Sequence, residues 1–112
     1  MSKFDEKMEK YTASFKKLGI KFDADLFQKV TKGLGPSIYK KDAESVSCGQ
    51  ESELATVKKN FLMKKLGCDD SPKLDAAIQS VCEKLGKSNR NKYRAQFYYL
   101  LVKEMGKESV YS

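Results

Sequence analysis

Along most of this chain, apolar residues recur at intervals of three and four, the period of an α-helix with one buried face. Phe4, Met8, Tyr11, Phe15 and Leu18 set out a first helix over about Lys3 to Leu18. Asp5 and Glu6 in its first turn and Lys16 and Lys17 in its last complement the helix dipole. A second helix opens at Asp23, an N-cap residue, with Phe22 and Phe27 spaced for a hydrophobic staple. Gly33-Leu34-Gly35-Pro36 then reads as a stop followed by a short helical restart. A third helix is predicted over Gln50 to Leu66, opened by a Ser47/Gln50 capping box or, for a later start, by Ser52. Asp69-Asp70-Ser71-Pro72 starts a fourth, whose stripe is Leu74, Ala77, Ile78, Val81, Cys82 and Leu85.

The last helix organises the rest. From Asn91 to Met105 the sequence is apolar nearly all round, with Tyr93, Phe97, Leu100, Leu101 and Met105 on one face and Tyr98, Tyr99 and Val102 beside it. A helix of that kind is covered by the other elements of its domain. Ser88 is its expected cap and Gly106 its stop. Leu-Gly or Met-Gly steps end each helix at Gly19, Gly35, Gly67, Gly86 and Gly106, but their irregular spacing marks shared C-cap chemistry rather than a repeat. No segment alternates as a half-buried strand does. The fold class expected is all-α: a single domain over residues 1–106, with five main helices, one short helix and the C-terminal helix at the centre. Residues 107–112 are expected to form a flexible tail.

Charge and cysteines narrow the possible chemistry. The net charge of +7 is concentrated near the ends, with six lysines against three acids in residues 1–22 and six bases against Glu104 alone in residues 87–107. Such ends would attract nucleic acid, acidic proteins or anionic lipid, or serve solubility alone. The N-terminus lacks the apolar core of a secretion signal, and no stretch is long enough to span a membrane, so a cytoplasmic protein is expected. In that compartment Cys48, Cys68 and Cys82 would be free thiols. Cys82 reads as core filling. Cys48, just ahead of the third helix, is the reactive-thiol candidate, although no resolving cysteine stands near it in sequence.

The absence of histidine removes the commonest general base and metal ligand, and the cysteine spacings contain no C-x-x-C pair. No metal and no cofactor is expected. The Gly33-Leu34-Gly35-Pro36-Ser37 turn lacks the ending and the preceding strand of a phosphate loop. The informative anomaly is Lys87-Ser88-Asn89-Arg90-Asn91-Lys92-Tyr93-Arg94, four cations where the dipole of a helix prefers acids. Ser88, Arg90, Lys92 and Arg94 are therefore the anion- or phosphate-binding candidates. The alternative pairs these cations with Asp69, Asp70, Asp75 or Glu83 on the fourth helix.

Gly33-Leu34-Gly35-Pro36-Ser37-Ile38-Tyr39, Asp42-Ala43-Glu44, Val46-Ser47-Cys48, Asn60-Phe61-Leu62, Lys64-Lys65-Leu66-Gly67, Leu74-Asp75-Ala76-Ala77-Ile78 and Phe97-Tyr98-Tyr99-Leu100-Leu101 together carry a resemblance. They resemble a family of small, all-helical bacterial proteins known only as a domain of unknown function, over a span from the first helix to the fifth. The resemblance implies a compact helical protein and supplies no active-site residues. A non-enzymatic binding or interaction module, with a protein or an anionic partner and no membrane insertion, is the leading expectation. A sequence-nonspecific nucleic-acid binder and a thiol-based redox protein using Cys48 are the alternatives.

Overall fold

In the computed structural model, which describes residues 3–40, 44–86 and 92–111, the apolar stripes converge on one core. Five α-helices build it: α1 (Lys3–Leu18), α2 (Ala24–Gly33), α3 (Glu51–Val57), α4 (Pro72–Leu85) and α5 (Arg94–Met105). The fold is all-α, and among the described residues the extended pairing is one isolated antiparallel bridge, Ser45 with Tyr93. No helix among those residues is long and apolar enough to cross a membrane.

Helix α5 is the central element. Every residue from Ala95 to Val102 is buried, and α1, α2 and α4 pack directly on it. On α4 the whole predicted stripe, Leu74 to Leu85, is inside. The start of α2 forms as its sequence dictates. The Asp23 carboxylate accepts from the Asp25 and Leu26 amides, and the Phe22 and Phe27 rings meet edge-on at 5.6 Å, closing the staple. A core hydroxyl fixes this corner to the central helix, because the Asp23 amide donates to the Tyr99 hydroxyl at 2.7 Å. Gly19, Gly35, Gly67, Gly86 and Gly106 all take positive φ, the backbone region that the apolar-Gly steps anticipated.

The structure differs from the sequence expectations at three places. The third helix is α only to Val57 and continues as a π-helical turn over Lys58–Met63. It starts at Glu51, with Gln50 as an N-cap that makes no side-chain cap hydrogen bond, so neither the Ser47/Gln50 box nor a Ser52 cap forms. The tail expected to be flexible carries a 3₁₀ turn, Glu108–Tyr111, packed on α2, with Tyr111 half-buried against the core. The third difference concerns the entry to α5, where the candidate site lies.

Candidate functional site

Helix α5 begins at Arg94, not at Ser88, and Tyr93 takes the N-cap position with extended backbone and no side-chain cap. The reason is a competing set of hydrogen bonds. The Val46 amide donates to the Lys92 carbonyl at 2.8 Å, and the Arg94 amide donates to the Glu44 carbonyl at 2.6 Å. Pairing with the 44–46 connector satisfies backbone groups that an earlier helical turn would have used. Of the two anion candidates among the described residues, Lys92 and Arg94, Arg94 stands in the first turn of α5. Ser88 and Arg90 lie outside the described residues.

Lys92 and Arg94, two residues apart on extended backbone, line separate pockets. These two described members of the expected cluster thus border different pockets. Its alternative, pairing with acids of α4, is not the arrangement of Arg94 either: Arg94 meets Glu53 of α3 at 2.5 Å, while Asp70 and Asp75 take Lys58.

Arg94 lines a cleft of about 340 Å³ together with Gly33, Ser37, Thr56, Asn60, Lys65, Tyr98 and Tyr111. Each wall follows from a local feature. Arg94 and Tyr98 are one helical turn apart, so they share a face, and the guanidinium donates to the Tyr98 hydroxyl at 2.9 Å. The π turn widens α3 and carries Asn60 and Phe61, whose ring stacks on Tyr98 at 4.0 Å. Tyr111 closes the far side, with the Lys65 ammonium 5.3 Å from its ring centre. The Arg94 side chain is only 13% exposed. Burial opposes its charge, but Tyr98 and Glu53 outweigh that and hold it firmly protonated. Burial, aided by Tyr98, pushes the Tyr111 hydroxyl up to about 12, so it stays a neutral donor at neutral pH.

Lys92 lines a second pocket, about 260 Å³, with Cys48, Gly49, Gln79, Cys82 and Glu83. Here the free-thiol expectation is corrected: Cys48 and Cys82 form a disulfide. The 44–50 connector crosses α4 so that the two Cα atoms come within 6.1 Å, inside the bonding range. Cys82 does fill the core at 5% exposed, yet it is also the partner that sequence spacing failed to supply for Cys48. Cys68 remains a free thiol elsewhere.

A third cluster holds the connector from its other end. Glu44 Oε2 accepts from Tyr11 Oη at 2.6 Å, Lys7 Nζ at 2.9 Å and Lys10 Nζ at 3.3 Å. Sequence reading missed it, along with the cleft residues Ser37, Thr56, Asn60, Lys65, Tyr98 and Tyr111. The one available signal was the Arg94/Tyr98 spacing on a helix otherwise apolar. Beside this cluster, the Gln96 amide donates to the Tyr11 carbonyl at 2.9 Å, while its buried oxygen finds no donor among the described residues.

No group of histidine, cysteine and carboxylate side chains that would hold a metal occurs among the described residues. No curated protein matches the sequence. A family model described as "Protein of unknown function (DUF2853)" matches residues 10–109, nearly the whole chain, and the protein therefore belongs to that helical family.

Proposed function

We propose that the protein is a non-enzymatic binding module whose ligand site is the Arg94–Tyr98–Tyr111 cleft, and that the ligand carries an anionic group on a compact planar body. The observation that carries this reading is the placement of a mostly buried arginine in a cleft whose wall is a π-helical turn, an arrangement often found at functional sites. The cleft volume falls at the small end of the range of ligand pockets. Among the described residues the cleft lining carries two cations, Lys65 and Arg94, and no acid, with Glu53 paired to Arg94 behind it, which supports an anionic ligand. Ser37, Thr56 and Asn60 add polar groups, and the tyrosine rings offer flat apolar surface. A chain without histidine also lacks the usual means of neutral-pH acid–base catalysis.

The nucleic-acid reading draws on the net charge, but several contributing cations are engaged within the fold. Lys7 and Lys10 meet Glu44, Arg94 meets Glu53, and Lys103 meets Glu108. Titrating the ¹⁵N-labelled full chain with phenyl phosphate is expected to shift the amides of Ser37, Asn60, Lys65, Tyr98 and Tyr111. Lys65→Gln should weaken that binding about fivefold, the ~1 kcal/mol of an exposed charge contact. Equal shifts with benzamidine, which is cationic, would rule the reading out. So would shifts scattered over exposed lysines, or tighter, steeply salt-dependent binding of a short DNA duplex, which is the mark of phosphate-backbone recognition.

A further inference from the structure

We propose that the Cys48–Cys82 disulfide is a redox-controlled latch: its reduction by a dithiol releases residues 47–56, which carry most of α3, from a core that stays folded. The latch stands independently of the ligand reading of the Arg94 cleft, although the segment it holds forms part of that cleft.

Burial sets the limits of the segment. Val46 and Val57 are both inside, at 3% and 0% exposed, yet none of the residues 47–56 between them is buried. The hydrogen bonds of this stretch are local. The Gln50 amide donates to the Ser47 carbonyl, the Leu54 amide to the Gln50 carbonyl and the Thr56 hydroxyl to the Ser52 carbonyl. Helix α3 is seven residues long, has no side-chain cap and packs chiefly on the π turn that follows it. So short a helix is marginal without tertiary support. Among the described residues, that support is the disulfide to α4, the Glu53–Arg94 ion pair and the partial burial of Leu54. The Glu53 carboxylate is 29% exposed, and a pair so open to water is a weak tie. The covalent bond therefore carries most of the restraint, and a segment with little buried surface opens first when its restraint goes. The core does not rest on it. Helix α5 is covered by α1, α2 and α4, and Glu44 and Val46 keep their backbone bonds to Arg94 and Lys92.

The bond is also within reach of a reductant. Cys48 is half-buried, Ser47 and Gly49 on either side of it are exposed, and the disulfide borders the pocket of about 260 Å³. One sulfur of a dithiol, as its thiolate, attacks Cys48 Sγ, and a mixed disulfide forms there as the electron pair of the broken bond leaves on Cys82 Sγ. The second sulfur of the dithiol then displaces Cys48. The dithiol ends as a disulfide and the protein as two thiols, having gained two electrons and two protons. Opening carries away Glu53 and Thr56, so the carboxylate that meets Arg94 and one wall of its cleft leave together.

The test compares ¹⁵N relaxation of the labelled full chain carrying Cys68→Ser before and after treatment with dithiothreitol, with maleimide trapping and mass measurement to count the thiols released. Backbone order parameters of residues 51–56 are expected to fall from about 0.85 to below about 0.6 on reduction, while those of α5 hold near 0.85. Cys48→Ser in the same background never forms the bond and should show the same pattern without reductant. Unchanged order in residues 51–56, in the reduced chain and in Cys48→Ser alike, overturns the proposal and leaves the bond a structural staple. Loss of order that spreads to α5 overturns it too, because the bond would then hold the whole domain. A bond that dithiothreitol reduces only as the helical circular dichroism is lost is no latch, and that result ends the idea as well.

Discussion

Leu101→Ala is expected to lower the unfolding free energy by about 3 kcal/mol, and Phe97→Ala by about 4 kcal/mol, because each leaves a cavity in the middle of the core. Both side chains are fully buried on α5, the helix that α1, α2 and α4 cover together. A domain of this kind has a total stability of about 5–15 kcal/mol, so either change consumes a large part of it. At this chain length 3 kcal/mol corresponds to a fall in Tm of about 10–15 °C. Val110, an exposed large apolar residue on the C-terminal turn, is the control, and Val110→Ala should stay within about 0.5 kcal/mol. Urea denaturation of all three variants under one fixed oxidising condition makes the comparison, since the disulfide also contributes to stability. A loss below ~1 kcal/mol for Leu101→Ala would be incompatible with α5 as the packing centre.

That centre was legible before any coordinates because it rests on local pattern. The α4 stripe, the Asp23 cap with its Phe22–Phe27 staple, and the positive φ of the five glycines each follow from spacing within a dozen residues, and each forms as read, although Gly35 opens the 3₁₀ turn and Gly67 lies four residues beyond the π turn. The candidate site was less legible for a different physical reason. The entry to α5 is decided by hydrogen bonds from Val46 and to Glu44, roughly fifty residues earlier in the chain. Helix-start signals cannot register such a competitor, so Ser88 reads as the cap of a helix that begins at Arg94, and Lys92 and Arg94 read together although they border different pockets. Cys48 and Cys82 are 34 residues apart and carry no spacing motif, so their pairing follows only from the path of the connector over α4. The π turn likewise leaves Val57, Phe61, Leu62 and Leu66 buried, as an ordinary helix would, and therefore makes no distinct mark on the apolar pattern. Tyr111 was read as part of a tail because a terminal segment has little periodicity to show. Its burial depends on the surfaces that α2 and the π turn present to it.

The same connector makes Glu44 the other residue whose loss should be severe. Glu44→Ala is expected to cost about 3 kcal/mol, between the cost of leaving a buried hydroxyl unsatisfied and that of breaking a buried ion pair. Its side chain is 13% exposed, and it is the common acceptor for Tyr11, Lys7 and Lys10. Glu44→Gln keeps the shape and one acceptor oxygen, so its loss should be about half as large, and combining it with Tyr11→Phe should cost less than the two singly because they share one hydrogen bond.

The pH dependence distinguishes charge from packing. Burial alone would raise the Glu44 pKa, but the hydrogen bonds from Lys7, Tyr11 and Lys10 outweigh it and hold the carboxyl below its ordinary range. A carboxylate with a depressed folded pKa adds stability that is fully present above its unfolded value, near 4.3, and is lost as pH falls through the folded one. The advantage of the native chain over Glu44→Gln should therefore be constant above about pH 5.5 and shrink progressively in acid. Paired urea titrations at stepped pH measure that difference directly. If it stayed constant down to pH 3, the carboxylate would be acting through shape alone, and the ionic tie between α1 and the connector that positions Arg94 would be lost from the account.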